Sequence, residues 1–60
     1  MIRTLLVDDA RAVRKSVRTL LDTTTDIRVV GEASNGIDAV SLARELRPDV
    51  VLMDLRMPGG

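Results

Sequence analysis

The sequence predicts an α/β fold in which strands and helices alternate in the order β-α-β-α-β, and three observations predict it. Two apolar runs, Leu5-Leu6-Val7 and Val50-Val51-Leu52-Met53, have the length of buried strands, and each ends abruptly in acid: Asp8-Asp9 after the first, Asp54 after the second. A β-rich segment at 27–33 lies between them. The intervening segments change to helical spacing and have ordinary crossover lengths, which implies parallel strands with right-handed connections.

Residues 2–8 are almost continuously apolar after Arg3, as expected for a strand covered on both faces. From about residue 10 to 22 the period changes: Val13, Val17, Leu20 and Leu21 fall on one helical stripe. Arg11, Arg14, Lys15 and Arg18 take much of the remaining surface, and Asp9 stands where an N-cap belongs. The polar stretch 22–26, with consecutive threonines between two aspartates, reads as a loop.

Residues 27–33 then read as the second strand, with Ile27, Val29, Gly31 and Ala33 on one face and Val30 on the other. Ser34-Asn35-Gly36 is turn chemistry, and Asn35 followed by Asp38 is a capping pair opening the second helix. Ala39, Val40, Leu42, Ala43 and Leu46 supply that helix's apolar face, and Pro48 marks its end. Residues 49–54 form the third strand, and 56–60 a loop rich in Pro and Gly.

Composition narrows the function classes. Sixty residues make at most one small domain, which buries only about 60% of its unfolded surface. With neither Cys nor His, the chain has no disulfide, no His or Cys zinc site and no histidine acid–base catalysis. Without Phe, Trp or Tyr it has no platform for stacking nucleic-acid bases. A net charge of zero gives no bulk attraction to nucleic acid or membrane. No apolar stretch approaches the roughly 20 residues of a membrane span, and because the N-terminus goes straight into a strand-like run no signal peptide is expected. The expectation is a soluble, cytoplasmic protein without a membrane partner.

Function in open parallel sheets gathers at the carboxyl ends of strands. Asp8, Asp9 and Asp54 all fall at such ends, and neighbouring strands about 4.8 Å apart let their carboxylates share one ion. A few carboxylates with open positions suit Mg2+ better than Ca2+, which prefers a fuller oxygen cage. A carboxylate can also attack phosphorus, and Asp54, single at its strand end, is the better nucleophile candidate. The competing reading makes each aspartate a turn former or N-cap; it is strongest for Asp8 or Asp9 taken alone.

With these residues in place, the chain resembles the receiver domain of two-component response regulators, most closely the LuxR-type transcription-factor branch. The resemblance rests on Leu5-Leu6-Val7-Asp8-Asp9, on Val29-Val30-Gly31-Glu32-Ala33-Ser34-Asn35-Gly36, and on Arg47-Pro48-Asp49-Val50-Val51-Leu52-Met53-Asp54-Leu55-Arg56-Met57-Pro58-Gly59. It implies a flavodoxin-like, doubly wound fold with the strand order 2-1-3 in this part. It implies that Asp54 accepts a phosphoryl group from a sensor histidine kinase, and that Asp9 directly, Asp8 through water and the backbone carbonyl of Arg56 hold Mg2+ beside Asp54. Ala10 and Arg11, next to the acids, are the residues expected to face the kinase; the competing reading makes the basic helix face merely solvated.

The resemblance also implies what residues 1–60 lack. They correspond to β1-α1-β2-α2-β3 of a receiver, without the fourth and fifth strands, whose ends carry a Ser/Thr and a Lys that bind the phosphoryl oxygens. The DNA-binding output domain would likewise lie outside this chain. The third strand is then a bare edge, open to a second copy or a complementary fragment. Two rival functions follow. One is an inactive, self-assembling half-domain. The other is a Mg2+-dependent phosphohydrolase with an aspartyl nucleophile, but such enzymes usually carry a second aspartate two residues on, where this chain has Arg56.

Overall fold

A computed structural model describes residues 1–54. Three strands, β1 (Ile2–Val7), β2 (Ile27–Ala33) and β3 (Val50–Met53), alternate with two helices, α1 (Arg11–Leu21) and α2 (Gly36–Leu46). The sheet is parallel, in the order β2-β1-β3. The chain moves from β1 to β2 on one side and then across to β3 on the other. Right-handed crossovers therefore put the helices on opposite faces, and α1 and α2 do not touch.

β1 is the centre of the molecule. Thr4, Leu5, Leu6 and Val7 are all buried, as a strand with neighbours on both edges and a helix over each face must be. Alternation sends Leu5 and Val7 to the α2 face, where they pack with Ala33, Ala39, Leu42 and Ala43. Leu6 faces a cleft it shares with Val13 and Val17 of α1 and Leu52 of β3.

Local chemistry sets the ends of α2. The Asn35 Oδ1 accepts the Asp38 N–H at 2.8 Å, and the Asn35 Nδ2 donates to the Asp38 carboxylate at 3.0 Å. Asn35→Ala is expected to cost about 1 kcal/mol of stability, the usual worth of such a cap; a urea titration followed by circular dichroism measures it, and an unchanged midpoint contradicts it. The helix closes on Arg47, which is left-handed at φ 49° and donates its N–H to the Ala43 carbonyl, before Pro48 prevents continuation. The Arg3 guanidinium holds the Arg47 carbonyl at 2.9 Å. Asp49 clamps the entry to β3: its Oδ2 accepts the Arg3 N–H at 2.8 Å, and its own N–H donates to the Arg3 carbonyl at 2.7 Å.

Four expectations need correction. Asp9 does not cap α1. The N-cap is Ala10, with no side-chain cap, and it is Asp8 that turns back to accept the Ala10 N–H at 2.8 Å. The α1 stripe is only partly covered: Val13 and Leu20 stay 46% and 68% exposed, because the sheet beneath is only three strands wide among the described residues. Val40 is exposed with Ile37, since α2 meets Leu5, Val7 and Ala33 of the sheet through Ala39, Leu42 and Ala43 and presents a narrower stripe. The single face assigned to Ile27, Val29, Gly31 and Ala33 breaks at a register shift. Val29 pairs with Thr4 and Gly31 with Leu5, neighbours in β1 that point to opposite faces, so Val30 is the extra residue of a bulge. Gly31 belongs there, because a Cβ would lie 2.7 Å from Leu46 Cδ1 and 3.3 Å from Leu5 Cδ1.

The residues of β3 are each 41–42% exposed and pair only with β1 among the described residues. No helix of the described residues is long and apolar enough to cross a membrane. The backbone carbonyl of Arg56 and the loop expected over 56–60 lie outside the described residues.

Candidate functional site

The ladder runs one residue past the ends of β1 and β3, and those residues are acidic. The Asp8 N–H donates to the Ala33 carbonyl of β2, and the Asp54 N–H to the Val7 carbonyl of β1, each at 3.1 Å. These bonds fix both aspartates at the carboxyl edge of the sheet, on neighbouring strands. Asp9 follows in the short connection to α1. One carboxylate oxygen from each of Asp8, Asp9 and Asp54 lies within 4.8 Å of the others. Asp8 and Asp54 are half-buried, and Asp9 is exposed.

Three like charges at this spacing repel. At 4.8 Å each pair costs about 1 kcal/mol in water and about 3–4 kcal/mol at the effective dielectric of a protein surface. A divalent cation reverses the sign. The donor set fits Mg2+: the groups are hard oxygens, and the chain has no thiolate or imidazole to favour a softer metal. The three oxygens lie close enough together that Asp8, Asp9 and Asp54 would hold such an ion jointly. Asp8 and Asp54 also line a cleft of about 300 Å³, walled by Leu6, Val13, Val17, Leu52 and Met53. A charged group entering there meets carboxylates at the rim and apolar side chains behind.

Every described member of the predicted acidic site is therefore brought to one place. Ala10 and Arg11, named as facing a partner, are exposed beside it. Two residues were not foreseen. Arg14, assigned to the solvated face of α1, is folded inward with its side chain 16% exposed. Its Nη1 donates to the Asp8 carbonyl at 2.5 Å and its Nε to Glu32 Oε1 at 3.3 Å. Glu32, near the end of β2, also receives Arg18 through its other oxygen at 2.5 Å. The available signal was Glu32 itself, a half-buried acid among the apolar and small residues Val29, Val30, Gly31 and Ala33 of β2, which needs a cation from the neighbouring element.

Comparison with known proteins places this geometry. Residues 4–60 match the response regulator receiver domain. The transcriptional regulatory protein LiaR of Bacillus subtilis is 54% identical over 59 residues, which are 98% of this chain and 28% of that protein. A protein-glutamate methylesterase/protein-glutamine glutaminase of Methanosarcina acetivorans is 49% identical over 57 residues, 95% of this chain and 16% of that protein. The crystal structure of the response regulator domain of Thermotoga maritima CheB superposes with a TM-score of 0.91 at 45% identity, covering 97% of this chain and 43% of that one. The chain thus spans between a sixth and about a quarter of the length of these two full-length relatives.

Proposed function

The chain belongs to the response regulator receiver domain family, and from that membership we propose that it accepts a phosphoryl group from a sensor histidine kinase on Asp54. The reading is carried by the convergence of the Asp8, Asp9 and Asp54 oxygens at the carboxyl edge of the sheet. Asp8, Asp9 and Asp54, with the backbone carbonyl of Arg56, would hold Mg2+, which when bound neutralises charge on the phosphoryl oxygens. An Asp54 carboxylate oxygen forms the new bond to phosphorus as the phosphorus–nitrogen bond to the donor imidazole breaks, and the imidazole leaves with that electron pair. Ala10 and Arg11 meet the kinase. The test is incubation with a small-molecule phosphodonor and Mg2+, followed by intact mass. One adduct is expected; none, on a folded chain that binds Mg2+, overturns the reading.

The receiver segment is shared by relatives with different activities, a transcriptional regulator and a methylesterase among them. The segment is not itself an enzyme in this reading. We place it in the LuxR-type branch, as the N-terminal half of a cytoplasmic receiver that controls a DNA-binding output domain, with DNA contacted only through that domain. The higher identity to LiaR supports this branch.

A second reading, a self-assembling half-domain, draws support from the edge of β3. Among the described residues Val50, Val51, Leu52 and Met53 form an edge strand with no charge, proline or bulge to blunt it, the kind that recruits another strand. The sixty-residue chain is expected to self-associate, or to pair with a complementary fragment, through this edge, and Leu52→Lys to shift it toward monomer. Light scattering that finds a cooperatively folded wild-type monomer at micromolar concentration contradicts this.

A further inference from the structure

Beyond the carboxylates, we propose that Arg14 is the positioning residue of the cation site; the proposal rests on the receiver reading of Asp8, Asp9 and Asp54. Three groups of Asp8 are tied down, one by β2 and two by α1 and its N-cap. Its N–H reaches Ala33 of β2, its Oδ1 accepts from Ala10 at the start of α1, and its carbonyl accepts from the Arg14 guanidinium. Only the last of these is made by a side chain of another residue.

The carbonyl matters because the peptide bond is planar. The Asp8 oxygen and the Asp9 Cα lie in one rigid plane, so a donor that holds the oxygen sets the point from which the Asp9 side chain departs. Asp9 is the exposed member of the cluster and sits in a turn where α1 has no side-chain cap. Nothing in its burial restrains it; the restraint comes through Asp8.

Arg14 is itself restrained. Its Nε is paired with Glu32, whose other oxygen is paired with Arg18, so the guanidinium is fastened to β2 as well as to α1. Because Arg14 donates to a carbonyl, it takes up no carboxylate oxygen of the cluster through that bond. A planar fork can serve Asp8 and Glu32 together, whereas a lysine ammonium on a flexible stem is not pre-organised for both.

Groups that orient metal ligands typically contribute about 10–100-fold to metal affinity. Mg2+ affinity would be measured by calorimetry on the sixty-residue chain, at a concentration where circular dichroism shows it folded. Arg14→Ala is expected to weaken binding about tenfold, and Arg14→Lys at least threefold. Asp49→Ala, which loosens the opposite end of the sheet, lowers thermal stability but leaves affinity within twofold. That control separates positioning from general loss of structure. If Arg14→Ala does not fold, Arg14→Lys decides.

Wild-type binding that is lost in Asp9→Asn but unchanged in the folded Arg14 variants overturns the role of Arg14 and leaves the site standing. A folded wild-type chain that takes up no Mg2+ overturns both. Equal losses of affinity in Arg14→Ala and Asp49→Ala also overturn the proposal, since they reduce Arg14 to a structural role.

Discussion

Leu5→Ala is expected to leave the chain largely unfolded at room temperature. Leu5 is 0% exposed on the central strand, in the cluster with Val7, Ala33, Ala39, Leu42 and Ala43. Truncating a buried leucine costs about 2.7–5 kcal/mol, the higher values where the cavity cannot collapse. Here collapse is difficult: three neighbours are alanines, with no side-chain length to extend into a void, and Val7 is held in the same strand. Sixty residues carry a total stability of roughly 3–9 kcal/mol, and β3 pairs only with β1 among the described residues. The loss is therefore comparable with all the stability available. Leu42→Ala, from a half-buried position on α2, removes contacts that solvent partly replaces and is expected to cost about half as much. Thermal melts followed by circular dichroism at one fixed protein concentration compare the two, because any self-association adds a concentration-dependent term. A Leu5→Ala midpoint within a few degrees of wild type would mean that Leu5 does not anchor the core.

The features legible in the sequence were those set by a few neighbouring residues. Asn35 and Asp38 make their cap across one helical turn, and Pro48 stops α2 by its own geometry. The β-rich runs placed all three strands, and the acids following β1 and β3 marked the sheet's carboxyl edge. What stayed hidden depended on pairing between distant segments. The Val30 bulge exists only in the register of β2 against β1, and a period of two read along β2 alone passes through it unbroken. Val40 matched a helical stripe whose true width depends on how much of the helix the sheet reaches, here Ala39, Leu42 and Ala43. Arg14 is the sharpest case. On the helix it belongs to a run of cations, Arg11, Arg14, Lys15 and Arg18, with nothing local to separate them. Its distinct role comes from the crossover, which lays that position over Glu32 and the Asp8 carbonyl.

Asp54→Asn is expected to abolish phosphoryl acceptance while leaving the fold intact. The asparagine has almost the same shape, and the backbone bond that fixes residue 54, its N–H to the Val7 carbonyl, survives the change. An amide oxygen, however, carries no negative charge and is a poor nucleophile toward phosphorus, so the effect on covalent labelling is complete loss rather than a graded decrease. The same substitution removes one of three mutually repelling charges, so the metal-free variant is expected to be as stable as wild type or slightly more so. Asp9→Asn should behave differently. It keeps the nucleophile and weakens the cation site, so acceptance falls steeply but recovers in part at high Mg2+. Intact mass after exposure to a small-molecule phosphodonor, at low and at high Mg2+, separates the roles. Acceptance lost in Asp54→Asn at every Mg2+ concentration, but recovered in Asp9→Asn at high Mg2+, assigns nucleophile and metal ligand in turn. An adduct that persists in Asp54→Asn would move the acceptor to another residue and leave Asp54 as a ligand only. The charge ledger then decides between the remaining acids: Asp8 already gives Oδ1 to the Ala10 N–H, which lowers its nucleophilicity, and Asp9 would be the next acceptor to test.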